Sequence, residues 1–279
     1  MALDRAGLDR LRWRCRRGLL ELDIVLGRFW AGCGEDELDD VDAGRLAMLL
    51  AMPDNDLLDL VSGLGEVWSS QMVDAAVRAR GQPSRWLDAR EVLVVEKTDL
   101  GAMVRWPESQ ALLKQRLGEP GPRTIVTGFV ARTPEGRITT LGRNGSDYSG
   151  SIFAALFGAT ELHVWSDVEG VYSADPRLVP EAVRIDRLSY AEACELAYFG
   201  ASVIHPQTMG PAFDRGIPII ARSTFNPSHP GTRISAEPGV LQPVKGVTAF
   251  KGLAILNIEG NGMIGVPGTA ARADRKSTR

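Results

Sequence analysis

The stretch Leu141-Gly142-Arg143-Asn144-Gly145-Ser146-Asp147 gathers a guanidinium, an amide, a hydroxyl and a carboxylate around two glycines. It lies between a strand-like run and a helix expected to start near Ser149. Glycines at such a junction let backbone N–H groups close on an anion, and a helix N-terminus adds positive potential. Arg143 can clamp a carboxylate through two parallel hydrogen bonds. Ser146 and Asp147 can orient an amine or cap the helix. The spacing is neither that of a P-loop nor that of a dinucleotide fingerprint. An ordinary turn with an aspartate cap accounts for the same residues equally well.

A second group follows the strand-like run His163-Val-Trp-Ser-Asp167. Asp167 leads into Val168-Glu-Gly-Val-Tyr172 and then Ala174-Asp-Pro-Arg177. Open α/β sheets bind ligands beyond the C-terminal ends of their strands. Tyr172 can face an adenine or ribose there, and Arg177 can reach a phosphate. A turn-rich connection with a surface ion pair is the competing reading.

The elements that must hold these groups fall into two textures. Residues 5–62 read as helix, with Leu8, Leu11 and Cys15 on one stripe and Leu22, Leu26 and Phe29 on another. Gly18 offers a turn between them, and residues 35–42 hold six acids, a solvated helix start or loop. A short helix is expected over 45–52, then a turn at Pro53-Asp54-Asn55. From residue 63 helices and strands alternate, which means a layered α/β domain. Trp68, Met72, Ala75, Ala76 and Ala79 keep helical spacing, with Gly81 as the stop. Strands are expected over 91–95, 124–131, 138–141, 162–166 and 217–221, with Pro134-Glu135-Gly136 as a hairpin turn. Ser189 and Glu192 fit a capping box, and Pro206 a helix start closed by Gly216. Beyond Val244 a hairpin is expected over 247–250 and 254–259, and the polar end is expected to fray.

Composition narrows the function classes. A chain of 279 residues with 44% hydrophobic and 24% charged side chains is globular rather than fibrous or disordered. Its net charge of −3 argues against general nucleic-acid binding. No apolar run is long enough to span a bilayer, and no secretory leader opens the chain. Cys15, Cys33 and Cys194 are sparse and odd in number, as in a reducing cytoplasm, the expected location. His163, His205 and His229 stand apart, so no metal site is expected. Residues 1–62 hold eight arginines and no lysine against thirteen acids, a net of −5, which marks a boundary near residue 62.

Taken together, Gly142-Arg-Asn-Gly-Ser-Asp147, Ser166-Asp-Val-Glu-Gly-Val-Tyr-Ser-Ala-Asp-Pro-Arg177 and Tyr198-Phe-Gly-Ala-Ser-Val-Ile-His-Pro206 closely resemble aspartate kinase. That family has the amino-acid-kinase fold and phosphorylates the side-chain carboxylate of aspartate with ATP and magnesium. Gly65-Glu66-Val-Trp-Ser-Ser70 looks like its substrate-side helix start. Residues 244–271, with Gly262-Met-Ile-Gly-Val-Pro-Gly-Thr-Ala270, look like the opening of its regulatory ACT domain. The resemblance implies that Glu66, Arg143, Asn144, Gly145, Ser146 and Asp147 bind aspartate, with Arg143 and Asp147 catalytic. It implies that Ser166, Asp167, Tyr172, Arg177 and Ser202 line the nucleotide.

Two departures bear on the chemistry. The family opens with a Lys-Phe-Gly-Gly-Thr stretch that residues 1–64 do not contain, and it usually has a lysine where Ser202 stands. Losing two cations around a highly charged transition state predicts weak or absent turnover. Residues 12–58, with Arg17, Gly18 and Glu21 in an Arg-Gly-x-x-Glu pattern, resemble instead the small FAD assembly factor of succinate dehydrogenase. That resemblance implies a contact surface for the flavoprotein subunit, the kinase part being a passenger. The expected architecture is thus α/β: a helical bundle (1–62), a partial amino-acid-kinase sandwich (63–240), an incomplete ACT-like unit (244–271) and a tail (272–279). The expected partners are ATP, L-aspartate, a second copy of the chain and, through the bundle, the flavoprotein.

Overall fold

Periodicity of apolar residues makes helices of most of the described residues between Arg5 and Ala79. The computed structural model describes residues 5–15, 20–32, 39–98, 101–118, 123–198, 205–237 and 244–249. In them α1 (Arg5–Arg14), α2 (Leu20–Gly32), α3 (Asp40–Leu49) and α4 (Asp54–Ala79) come first. Next are β1 (Arg85–Leu87), α5 (Ala89–Val92), β2 (Val95–Thr98), β3 (Gly101–Val104) and α6 (Trp106–Leu117). Then come β4 (Thr124–Val126), β5 (Val130–Arg132), β6 (Ile138–Thr140), α7 (Gly145–Phe157) and β7 (Leu162–Ser166). The described chain closes with β8 (Arg187–Ser189), α8 (Tyr190–Tyr198), α9 (Pro206–Asp214), β9 (Ile219–Ser223) and β10 (Thr232–Ser235).

Four strands form one sheet in the order β7-β9-β10-β8. Strands β7 and β9 run parallel, with Leu162 opposite Ile219 and Ser166 opposite Ser223, so both end at one edge. Strand β10 is antiparallel to β9 and parallel to β8. The remaining strands pair as parallel β1–β4 and antiparallel β2–β3 and β5–β6.

Helix α7 joins two cores. Its Ile152, Phe153 and Leu156 enter a cluster with Leu87, Val92, Leu93, Val95 and Val130. Its Ala154 and Ala155 enter another with Leu188, Met209, Ile219 and Ile234. A helix apolar on most of its faces must be covered on most of them, and sheets and helices on both sides do so here. A third cluster of Leu11, Cys15, Ala43, Leu46 and Leu50 holds the N-terminal helices. There Trp30 Nε1 donates to Cys15 Sγ at 3.1 Å.

Several local expectations hold. Gly81, at φ +70°, follows α4, and the β5–β6 hairpin turns through Pro134-Glu135-Gly136. The capping box is reciprocal: Ser189 N–H donates to Glu192 Oε2 at 2.7 Å, and Glu192 N–H to Ser189 Oγ at 3.2 Å. Others are corrected. Pro53-Asp54-Asn55 is no turn: Pro53, at φ −55°, is the N-cap of α4, and Asp54 and Asp56 occupy its positive first turn. Helix α4 therefore runs unbroken through residue 62. The strand expected at 91–95 begins as helix α5, because Asp88 Oδ1 accepts the Arg90 N–H at 3.0 Å. The 124–131 strand splits into β4 and β5 around Phe129, whose φ of +67° cannot continue a strand. Residues 244–249 form no strand; Gly18, the acids at 35–38 and residues 250–279 lie outside the described residues.

Gly63 lets α4 approach the β5–β6 hairpin: a Cβ there would stand 2.6 Å from Val130 Cγ1. Glycine to alanine inside a helix ordinarily stabilises by roughly 0.5–1 kcal/mol. Overpacking against a stiff, fully buried valine costs typically about 1–3 kcal/mol, so the clash outweighs the propensity. Gly63→Ala is expected to lower the urea midpoint with an unchanged slope. A higher midpoint would show that α4 can move away freely.

Candidate functional site

The turn between β6 and α7 is built from local constraints. Gly142 lies at φ +76° and Asn144 at +58°, both in the left-handed region. Gly145 N–H donates to Gly142 O at 3.0 Å, which closes the turn. A Cβ on Gly145 would be 2.7 Å from Phe129 Cδ2 and 2.9 Å from Leu141 Cβ, so only glycine fits. Phe129 is held in turn: its N–H donates to Ser149 Oγ at 3.1 Å, and its carbonyl accepts Leu141 N–H at 2.8 Å. Ser149 Oγ donates to Ser146 O at 2.7 Å. Helix α7 begins at Gly145, earlier than expected, with Asn144 at the N-cap and no side-chain cap bond. Asp147 is thus a first-turn residue, and the aspartate-cap reading of this stretch is set aside.

Across from this turn stands α4. Ser62 and Glu66, one turn apart on that helix, line a cavity of about 420 Å³ with Phe129, Gly142 and residues 143–147. The structure therefore brings Glu66, Arg143, Asn144, Gly145, Ser146 and Asp147 to one pocket, although 77 positions separate Glu66 from Arg143. One guanidinium and two carboxylates face a space of small-molecule size. The Asp147 side chain is open to solvent on one side, yet the pocket walls remove enough water to push its carboxyl above the ordinary aspartate value.

The residues expected on the nucleotide are in the β7–β8 connection, outside this lining. Ser166 ends β7, and its carbonyl accepts Thr224 N–H at 2.8 Å and Thr224 Oγ1 at 3.0 Å. Asp167 follows it, exposed at the C-terminal edge of the sheet. Tyr172 Oη donates to Glu169 Oε2 at 3.4 Å, and Glu169 Oε1 accepts Asn226 Nδ2 at 2.9 Å. Arg177 is forked on Asp175 (Nε–Oδ1 3.0 Å, Nη2–Oδ2 2.8 Å) with its side chain 88% exposed. An exposed pair of this kind is worth about 0–1 kcal/mol, so an incoming anion can displace the carboxylate.

Ser202, Arg17 and Gly18 lie outside the described residues, as does the side chain of Glu21. Sequence reasoning placed Gly142 in the binding stretch but missed Ser62 and Phe129. Ser62 had a usable signal, its position one helical turn before Glu66. Phe129 had none, because nothing in Thr127-Gly128-Phe129 announces a left-handed phenylalanine. Among the described residues no three His, Cys, Asp or Glu side chains gather to hold a metal, and no helix is long and apolar enough to cross a membrane.

The model of the amino acid kinase family matches residues 16–223. The match takes in Arg17, Gly18 and Glu21, which leaves the flavinylation-factor resemblance of that segment without support from the comparisons. The chain is 44% identical over 260 residues to bifunctional aspartokinase/homoserine dehydrogenase 1 of Arabidopsis thaliana, a chloroplastic protein, covering 90% of this chain and 28% of the relative. It is 37% identical over 199 residues to lysine-sensitive aspartokinase 3 of Escherichia coli, covering 69% of this chain and 42% of that one. It superposes on Escherichia coli aspartokinase III, solved with aspartate and ADP, with a TM-score of 0.62 and 31% identity over 82% of this chain and 49% of that chain. The chain thus spans less than half of each of these relatives.

The raised carboxyl of Asp147 gives a stability test with a definite sign. A folded-state value above the unfolded one means that the native protein binds this proton more tightly. The favourable contribution is therefore complete below the unfolded value and is lost as pH rises through the folded one. Asp147→Asn is expected to remove that segment of the melting temperature's pH dependence. An identical profile in parent and variant would refute the desolvation of this carboxyl.

Proposed function

The chain belongs to the amino acid kinase family, and from that premise we propose that its pocket binds L-aspartate for phosphorylation of the side-chain carboxylate by magnesium ATP. The observation that carries this reading is the meeting of Glu66 with Arg143 and Asp147 around one cavity. An α-amino acid presents a carboxylate and an ammonium a fixed distance apart. Arg143 suits the first and the paired carboxylates of Glu66 and Asp147 suit the second. The first turn of α7 adds positive potential beside the bound acid. The remaining carboxylate of aspartate is then the acceptor. The nucleotide enters as the magnesium complex, a substrate, and is assigned to Ser166, Asp167, Tyr172 and Arg177 in and after the C-terminal end of β7 and, by the family resemblance, to Ser202.

Phosphoryl transfer depends on positioning and charge neutralisation more than on covalent chemistry. Arg143 holds one end of the acceptor, and Asp147 fixes its ammonium so that the free carboxylate has one direction left to point. The 44% identity to a bifunctional aspartokinase supports the same substrate. Ser202 brings no charge where the family usually has a lysine, so the transferring phosphoryl group has one fixed cation fewer there.

Calorimetry on the full chain tests the binding. L-aspartate is expected to bind, and Arg143→Ala to weaken it on the order of ten- to hundredfold, the loss of a charge-assisted pair. Heat from magnesium ATP with none from aspartate would reject the substrate assignment. Trapping aspartyl phosphate with hydroxylamine tests the reaction. Turnover is expected to be slow, with Ser202→Lys improving nucleotide affinity without restoring the rate. Rapid turnover by the unmodified chain would show that the missing lysines do not matter.

A further inference from the structure

Helix α4 carries a partly buried carboxylate that lies outside the pocket lining. Asp59, its side chain 16% exposed, accepts Thr140 Oγ1 at 3.0 Å on Oδ1 and Thr139 Oγ1 at 3.2 Å on Oδ2, and pairs with Lys97. We propose that Asp59 is a positioning residue: through Thr139 and Thr140 its carboxylate fixes the separation of Glu66 from Arg143, and so sets the affinity of the amino-acid subsite. The proposal rests on the aspartate reading of the pocket for its ligand, and on geometry alone for its mechanism.

The geometry links the two walls by one side chain. Asp59, Ser62 and Glu66 stand at i, i+3 and i+7, on one face of α4. Ser62 and Glu66 line the cavity, while Asp59 lies two turns below Glu66. On the opposite wall Thr140 is the last residue of β6, three positions before Arg143. Leu141 between them is already fixed by its bond to the Phe129 carbonyl. At the far end of the face Ser70 Oγ lies 3.1 Å from Thr127 Oγ1 and accepts Trp86 Nε1 at 2.9 Å. Glu66 is thus suspended between two polar anchors. The apolar contact of Gly63 with Val130 sets how near the helix comes but leaves its rotation free. Beside the packing of Leu57 and Val67, directional bonds fix that rotation, and Asp59 supplies them to the strand that ends in the binding turn.

The test compares the parent full chain with Asp59→Asn and Thr140→Val. The amide keeps the shape of Asp59 but turns one acceptor oxygen into a donor; the valine keeps the β-branched form of a strand residue and covers the case of a poorly folded Asp59→Asn. Each is titrated with L-aspartate and separately with magnesium ATP, and amide hydrogen exchange is followed without ligand. Aspartate affinity is expected to fall on the order of tenfold, as for a misplaced binding group. Affinity for magnesium ATP is expected to stay within about twofold, since distant sites act independently. Exchange should quicken over residues 62–67 and 141–147 but not over 162–166. Unchanged aspartate affinity with unchanged exchange overturns the proposal, and so does loosening that spreads equally to 162–166. If the parent itself binds no aspartate, the substrate reading falls while the exchange pattern still decides the positioning role.

Discussion

The docking of α4 on the β5–β6 hairpin is the constraint on which the pocket depends. A carboxylate taken out of water costs several kcal/mol unless its oxygens are satisfied. Asp59 is satisfied by two threonine hydroxyls and Lys97, all from other elements. That requirement makes the docking specific. An apolar contact is non-directional, whereas a displaced Asp59 would leave a partly buried charge without these partners. Gly63 permits the approach, and Ser70 with Thr127 closes the other end.

Backbone strain is concentrated where the two walls meet. Phe129 and Asn144 are the non-glycine residues at positive φ among those described, and both border the cavity. Each such conformation costs on the order of 1–3 kcal/mol and persists only where its surroundings dictate it. Here they dictate each other: the Phe129 ring fills the space a Cβ at 145 would need, and Ser149 ties the start of α7 back to the Phe129 amide. The cost is offset by α7 itself, whose Ile152, Phe153, Ala154, Ala155 and Leu156 are buried in two cores. One well-packed helix thereby presents a strained turn in a fixed place.

The same helix connects the pocket to the larger sheet. Strands β7 and β9 end together at Ser166 and Ser223, and Thr224 bonds twice to the Ser166 carbonyl. In the loop after β7, Arg177 is engaged on Asp175 and Glu169 on Asn226 and Tyr172. The exposed Arg177–Asp175 pair is weak, so an incoming anion can take the carboxylate's place without disturbing the core.

Much of this was legible in the chain. Periodicity marked the helices, the capping box at Ser189 and the turn before β6 were written in local residue types, and the run from Gly142 to Asp147 carried its own chemistry. These features arise from contacts within a few residues, which a sequence displays directly. The short strands β1, β3, β8 and β10 were not legible, because three or four residues give no pattern until a neighbour pairs with them. Nor was the continuation of α4 past residue 62, where charge composition changes, since a helix is propagated by its backbone bonds and not by net charge. Glu66 was identified by resemblance, and only the fold placed it across from Arg143. The reason is physical: that meeting depends on a carboxylate at 59 finding hydroxyls some eighty residues away, a choice made by tertiary packing and written in no local pattern.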